Sequence, residues 1–246
     1  MAEVRIGCSG WSYDHWAGPF YPPGLKAKDR LGWYAGRFDT AEINGSFYRL
    51  PSPETVARWA SEVPDGFCFA WKVSRFISHN RKLANCAASV DLVFQRMRGL
   101  GAKEGPALVQ LPPMLHCDLG RLARFADWLP SDRRCAIEFR HPSWYSAPVF
   151  EELAAHNLAL CLSDHVDAPA PFEITADFVY LRRHGPRGAY AGRYGPAAIE
   201  DCAARIAAWT GEGRDVFCYF DNDVGGAATV DAAALIARLA ARRPAI

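Results

Sequence analysis

Eight short apolar runs, separated by longer stretches of helical character, restrict the fold of this sequence more than any other feature. The runs have the length and the aromatic and β-branched content of strands, and they cover residues 4–7, 41–47, 67–73, 107–111, 135–139, 158–162, 178–181 and 216–220. Strands that alternate with helices are parallel and are joined by right-handed crossovers. The pattern predicts an α/β fold, a single (β/α)8 barrel over residues 1–246.

The stretches between the runs predict the helices that surround this barrel. They cover residues 29–36, 53–63, 83–100, 118–129, 147–156, 197–209 and 231–242. The sixth crossover is an exception, because Pro169 and Pro171 prevent a regular helix, so we expect an abbreviated sixth helix. The first βα loop, residues 9–28, is long and aromatic and is expected to fold as a cap over the site.

An open, doubly wound sheet is the main alternative to a closed barrel. Such sheets usually carry a glycine-rich phosphate loop that leads from the first strand into a helix. Here the segment GCSG at residues 7–10 is followed by Trp11 and not by a helical pattern. The closed barrel is therefore favoured.

Charge and hydropathy limit the cellular locations and the kinds of binding partner that are compatible with this sequence. The formal net charge is +1, which argues against a domain-wide electrostatic surface for nucleic acid. The sequence contains neither an unbroken apolar stretch of about 18 residues nor an N-terminal apolar segment typical of a signal peptide. We expect a cytoplasmic protein without a membrane partner, whose eight cysteines are reduced thiols.

Several motifs, in order along nearly the whole chain, resemble those of the YecE-like family. They are IGCSGWS at residues 6–12, GPFYP at 18–22, FDTAEIN at 38–44 with FY at 47–48, QLPP at 110–113, EFRHPSW at 138–144, and YFDND at 219–223 with GG at 225–226. The resemblance implies a barrel fold and no established reaction. The family more often has Asn where this chain has Asp221, and a Ser or another small hydroxyl residue where it has Gly45.

Polar side chains stand at the ends of the predicted strands, where (β/α)8 barrels form their active sites. Residues two apart on a strand face the same side, and the apolar residues between them should face the helices. The side chains expected to point inward together are Glu42 with Asn44, Glu138 with Arg140, and Tyr180 with Arg182 and His184.

Three residues at the strand ends, Lys72, Arg140 and Arg182, are cations that we expect to point into the same mouth, and they favour a ligand that carries carboxylate or phosphate. We expect an enzyme that binds a small anionic molecule and acts on it by general acid/base chemistry. The possible classes are a hydrolase, a lyase and an isomerase. The candidate catalytic residues are Glu138, His184, Glu42 and Asp164. The candidate substrate-binding residues are Trp11, Asn44, Tyr48, Lys72, Gln110, Arg140, Trp144, Arg182 and Asn222.

Other functions remain compatible with these residues. Aromatic and basic residues alternate in the loops near the mouth, as they do where single strands or flipped bases are held, so a nucleic-acid-processing barrel is one alternative. A ligand-binding barrel without catalysis is another. Glu42 and Glu138 could form a glycosidase pair, or the ionisable groups could neutralise one another as buried ion pairs.

No cofactor or metal is predicted. A divalent ion would draw its ligands from Glu42, Glu138, Asp164, His165, His184 and Asp221. The three cations in the same mouth would repel it, and no H-x-x-x-H or H-E-x-x-H spacing occurs.

Overall fold

The computed structural model describes residues 2–188 and 190–242, and its eight parallel strands close into a barrel. The strands are β1 (Val4–Ser9), β2 (Thr40–Ile43), β3 (Cys68–Lys72), β4 (Glu104–Gln110), β5 (Cys135–Glu138), β6 (Ala159–Ser163), β7 (Phe178–Arg183) and β8 (Asp215–Phe220). Neighbours in the chain are neighbours in the sheet, and β8 pairs with β1. The predicted fold class is confirmed. The prediction of one domain over 1–246 also includes residues 1, 189 and 243–246, which lie outside the described residues, and it stays a prediction.

Helices connect most of the strands. They are α1 (Arg30–Ala35), α2 (Gly45–Tyr48), α3 (Pro53–Ser61), α4 (Ala87–Met97), α5 (Leu119–Ala126), α6 (Ala147–Ala155), α7 (Pro196–Gly211) and α8 (Ala227–Arg242). Side chains cap α3 and α5, where Ser52 Oγ accepts the Thr55 N–H and Asp118 Oδ1 accepts the Arg121 N–H. Between β6 and β7 the structure describes no helix, as the two prolines predicted.

Two predicted elements differ most clearly from the observed ones, and the bounds of others shift by up to four residues, as in α8, which begins at Ala227 and not at 231. The second run was expected to be a strand over 41–47, but β2 ends at Ile43 and the chain turns into α2, with the Phe47 N–H donating to the Asn44 carbonyl at 3.1 Å. The helix expected over 83–100 is shorter, with α4 at Ala87–Met97. Its predicted first turn is not helical because Leu83 and Asn85 have φ values of 66° and 49°.

The barrel interior changes character along its axis. Its lower part is filled by small, aliphatic and aromatic side chains: Ala70, Leu108, Ala136, Cys161, Tyr180 and Tyr219. A Cβ on Gly7 would lie 2.2 Å from the Thr40 carbonyl oxygen, so a larger residue cannot replace this glycine without moving the two strands apart. One inward position further along each strand, toward the C-terminal end, the interior becomes polar.

The long loop after β1 folds over the end of β8. Its Trp16 is buried, and the indole Nε1 donates to the Asp223 carbonyl oxygen at 2.9 Å. Phe20 packs edge-on against Trp16 with ring centroids 5.5 Å apart. These contacts fix the aromatic loop beside the end of β8, and its role as a cap over the site stays a prediction.

One segment of the described chain, Val224–Arg242, is long and apolar enough to cross a membrane by length and composition alone. It contains α8, which packs against β1, β8 and α7 as the last helix of the barrel. The eight cysteines form no disulfide in the described structure, and Cys8, Cys135, Cys161 and Cys218 are buried within the strands.

Candidate functional site

Arg182 lies at the centre of the barrel mouth and binds three carboxylates from different strands. Its Nε donates to Glu42 Oε2 at 3.1 Å and its Nη2 to Glu42 Oε1 at 2.9 Å. Nη1 donates to Glu138 Oε2 at 3.0 Å, and Nη2 also reaches Asp221 Oδ2 at 2.8 Å. The guanidinium thus ties β2, β5 and β8 to β7.

No donor of Arg182 is left for a ligand. Nη2 also contacts Ser9 Oγ at 2.9 Å, and Nη1 contacts His184 Nε2 at 3.0 Å. A guanidinium has five N–H groups, and these six contacts occupy all of them. Arg182 is only 1% exposed. Its guanidinium therefore serves as the centre of an internal ion cluster that organises the mouth.

His184 receives two guanidinium donors on the same nitrogen. Arg182 Nη1 and Arg140 Nη2 each lie 3.0 Å from His184 Nε2. A nitrogen that faces two N–H groups acts as an acceptor, so the neutral ring carries its proton on Nδ1. Nδ1 lies 3.3 Å from Ser163 Oγ and 3.6 Å from Asp164 Oδ1, which also accepts the His184 backbone N–H at 2.6 Å.

Arg140 is held from one side only. Its Nη2 binds Glu138 Oε1 at 2.6 Å as well as His184. The Nε atom is buried and has no protein partner among the described residues, and Nη1 makes no hydrogen bond to them either. Arg140 therefore combines a fixed position with donors that are not used by the protein.

Lys72 and Gln110 occupy the neighbouring part of the mouth, on β3 and β4. Lys72 Nζ donates to Gln110 Oε1 at 2.8 Å and lies 4.7 Å from the centroid of the Phe47 ring. Burial, together with the charges of Lys72, Arg75 and Arg140, lowers the pKa of His79 in the adjacent loop. This side of the mouth is thus electropositive.

The neighbouring cations keep Glu138 ionised. Burial alone would raise the pKa of Glu138, but Arg140 and Arg182 outweigh it and hold that pKa well below its usual value. Burial likewise opposes the charge of Arg182, yet Asp221, Glu42 and Glu138 raise its pKa. Glu42 accepts hydrogen bonds from Ser9, from Tyr180 at 2.7 Å and from Arg182, so its oxygens are also occupied.

The structure brings most of the predicted site residues together. The residues at the mouth are Glu42, Asn44, Lys72, Gln110, Glu138, Arg140, Arg182 and His184, with Asp164 behind His184. Asn44 joins them through its Nδ2, which donates to Ser9 Oγ at 3.0 Å. Period-two alternation along the strands therefore identified the inward set.

Four predicted substrate-binding residues lie apart from this cluster. Trp144 is fully buried, stacks on Phe139 at 4.8 Å and donates to the Leu115 carbonyl. Asn222 donates to Asp231 in α8 at 2.8 Å. The other two are Tyr48, which is 71% exposed, and Trp11, which packs edge-on against Trp59 in a neighbouring cavity of about 390 Å³.

Two residues of the site were missed from the sequence. Ser163 is the inward residue at the end of β6, 3.4 Å from Glu138 Oε1, whereas the prediction chose Asp164, one position further. Counting by two from inward Cys161 would have found it. Tyr194, whose hydroxyl donates to Asp164 Oδ2 at 2.5 Å, belongs to the aromatic loop residues expected near the mouth but was not among the candidate site residues.

The described residues contain no group of three or more His, Cys, Asp or Glu side chains arranged to hold a metal ion. A larger cavity of about 720 Å³ lies at the opposite end of the barrel and is lined by residues such as Arg5, Lys103, Glu104 and Arg133. That end of a (β/α)8 barrel generally contributes to stability, while the C-terminal strand ends carry the chemistry.

The closed barrel and its charged mouth define the class as a (β/α)8-barrel protein with an internal ion cluster at the C-terminal strand ends. Residues 5–246 match the family described as "Protein of unknown function DUF72", and the chain belongs to this family. The resemblance to YecE-like proteins is thereby confirmed.

Relatives and a solved structure agree with this assignment. The UPF0759 protein YecE of Escherichia coli is 32% identical over 144 residues, 58% of this chain and 50% of that protein, so the chain spans about half the length of this relative. The UPF0759 protein YunF of Bacillus subtilis is 25% identical over 91% of this chain and 90% of its own. A DUF72 family protein from Thermotoga maritima superposes with a TM-score of 0.88 at 22% identity, covering 97% of this chain and 99% of that one, and shows the same fold.

Proposed function

We propose that this protein is an enzyme that binds a small molecule bearing a carboxylate or phosphate at the barrel mouth. Arg140 is the principal anion-binding residue, and His184 is the general base. The observation that carries the proposal is the state of Arg140, a 6% exposed guanidinium whose Nη2 is fixed by Glu138 while Nε and Nη1 lack a protein partner among the described residues.

A buried cation with unused donors is costly unless something binds it. An unsatisfied buried donor costs about 1–3 kcal/mol, and more for a charged group. A carboxylate or phosphate oxygen would satisfy such donors by charge-assisted hydrogen bonds. Lys72, Arg75 and Arg140, whose charges add to the effect of burial in lowering the pKa of His79, make this side of the mouth the favoured anion site.

His184 has the tautomer that a general base requires. Its Nε2 accepts from Arg140 Nη2 and Arg182 Nη1, each at 3.0 Å, and it can take a proton once the bound anion has drawn Arg140 away and Arg182 Nη1 keeps only its bond to Glu138. Asp164, 3.6 Å from Nδ1, would stabilise the imidazolium that forms when Nε2 takes a proton. Glu138 and Glu42 are bound too completely by cations and hydroxyls to exchange protons readily, so we assign them to the structure of the cluster.

A thermal-shift screen of carboxylated and phosphorylated metabolites tests the proposal. At least one anion should raise the melting temperature of the wild type, and Arg140→Met should abolish the rise. Arg205→Met is the control, since Arg205 is a half-exposed residue of α7 that is paired with Asp201 and lies over the Phe172 ring. Conversion of the stabilising compound, lost in His184→Gln, should follow. If no anion stabilises the wild type, the proposal fails.

Oligonucleotide binding and a conversion assay separate the two alternatives from the proposed function. A nucleic-acid-processing barrel is supported by exposed rim aromatics such as Phe76, beneath the Arg81 guanidinium at 5.2 Å. That function would appear as salt-dependent binding of single-stranded oligonucleotides that survives Arg140→Met. A ligand-binding barrel would retain a tightly bound anion without converting it.

A further inference from the structure

Lys72 differs from the other two cations of the mouth in its partners. Arg182 and Arg140 both bind carboxylates, whereas Lys72 Nζ donates to the neutral Gln110 Oε1 at 2.8 Å. No carboxylate of a described residue forms an ion pair with it. The Phe47 ring, 4.7 Å away, covers another side of the amine.

Burial and the neighbouring Arg182 disfavour the ammonium form, although the face of the Phe47 ring favours it. The side chain is 9% exposed, so its charge is poorly hydrated, and the positive Arg182 adds repulsion. Together they lower the pKa of Lys72, although Glu42, Glu138 and Asp221 act in the opposite direction. Desolvation beside another cation is the general way in which proteins obtain a nucleophilic lysine amine.

We propose that Lys72 is a nucleophile that forms an imine with the substrate, so that the substrate is an anion that also carries an aldehyde or ketone group. This inference rests on the proposed function, because Arg140 would hold the anionic group next to the amine. Gln110 lies between the two sites: its side chain accepts from Lys72, and its backbone is the register partner of Glu138 on β5, whose carboxylate binds Arg140.

The reaction balances with water as its only other product. The Lys72 nitrogen forms a bond to the carbonyl carbon, and one amine proton moves to the oxygen to give a carbinolamine. A second proton, taken from solvent, lets the oxygen leave as water. The product is a protonated imine, which withdraws electrons from the neighbouring carbon and makes its C–H or C–C bond easier to break.

Reductive trapping tests the proposal on the wild-type protein. The protein is incubated with pyruvate or glyceraldehyde 3-phosphate and sodium cyanoborohydride, and the five lysines (26, 28, 72, 82 and 103) are mapped by peptide mass spectrometry. We expect the Lys72 adduct to form on the order of tenfold faster than that of exposed Lys28. The labelling rate should reach half its maximum below pH 10.5, the ordinary pKa of a lysine. Lys72→Arg should remove this adduct and Lys28→Arg should not.

The outcomes separate this inference from the proposed function. Labelling of Lys72 no faster than Lys28 overturns the imine, and if anions still stabilise the protein through Arg140, the proposed function stands. Fast labelling of Lys72 by neutral acetone as well as by pyruvate, without stabilisation by any anion, contradicts the anionic substrate class. Since the wild-type peptide map decides between these results, the test does not depend on the folding of a variant.

Discussion

Glu42 and Arg182 face each other across the barrel, from β2 and β7, and are joined by two hydrogen bonds of 2.9 and 3.1 Å. Both side chains are almost completely inaccessible to solvent. This pair explains why the mouth contains so many charges without presenting all of them to a ligand. The charge of Arg182 is used inside the protein, and the cations that remain for a substrate are Arg140 and Lys72.

Replacing Arg182 should destabilise the protein strongly. Arg182→Met leaves Glu42, Glu138 and Asp221 without their shared partner, and breaking a buried ion pair in this way costs about 3–5 kcal/mol. The matched control, Arg205→Met, should cost less than about 1 kcal/mol. Urea denaturation measures both, and equal losses for the two variants would contradict the central role of Arg182.

The stability of the protein should fall in acid because of Glu138. Its pKa is lowered in the folded state, since Arg140 and Arg182 outweigh the effect of burial. A carboxylate with a lowered folded pKa stabilises the fold above its unfolded value, near 4.5, and this contribution is lost as the pH falls through the folded value. Glu138→Gln should therefore flatten the decline of the unfolding free energy below about pH 4.5. The exposed control Glu151→Gln should leave the slope as in the wild type.

The protonation of the His184 ring can be read by NMR. Because Arg140 and Arg182 both donate to Nε2, the neutral ring should show a protonated Nδ1 and an unprotonated Nε2. Nitrogen chemical shifts of histidine-labelled protein at neutral pH give the answer directly. A ring with its proton on Nε2 would remove the basis for assigning His184 as the base.

Trp144 should act on stability and not on ligand binding. Its ring is stacked on Phe139, and its Nε1 donates to the Leu115 carbonyl at 2.7 Å. Truncation of a buried tryptophan to alanine costs about 3–5 kcal/mol. The milder Trp144→Phe should keep the anion-induced rise in melting temperature. Loss of that rise in a well-folded Trp144→Phe protein would show that Trp144 takes part in ligand binding after all.

Alternation along the strands explains how much of the site could be predicted from the sequence. Glu42, Glu138 and Arg182 were placed inward because their neighbours on each strand, such as Ile43, Phe139 and Leu181, are apolar and contribute to the outer core. The eight strands were predicted from the apolar runs themselves, and the absence of a regular sixth helix from Pro169 and Pro171. The apolar runs did not give the end of β2, since the turn at Asn44 and Gly45 interrupts an otherwise strand-like run.

The roles of the inward residues could not be predicted, because they depend on distances between strands that are remote in the chain. Lys72, Arg140 and Arg182 look equivalent in the sequence, and only their partners separate a saturated guanidinium from one with unused donors. Trp144 and Asn222 follow strands, as binding residues do, but their side chains turn toward Phe139 and Asp231.

Calorimetric titration of the stabilising anion into wild type, Arg140→Lys and Arg140→Met tests the central claim most directly. A hydrogen bond to a charged group contributes about 1.5–3 kcal/mol, so Arg140→Met should weaken binding roughly tenfold to a hundredfold, with Arg140→Lys in between. Arg205→Met should bind as the wild type does. Wild-type affinity in a folded Arg140→Met protein would contradict the assignment of Arg140 as the residue that binds the anionic group of the substrate.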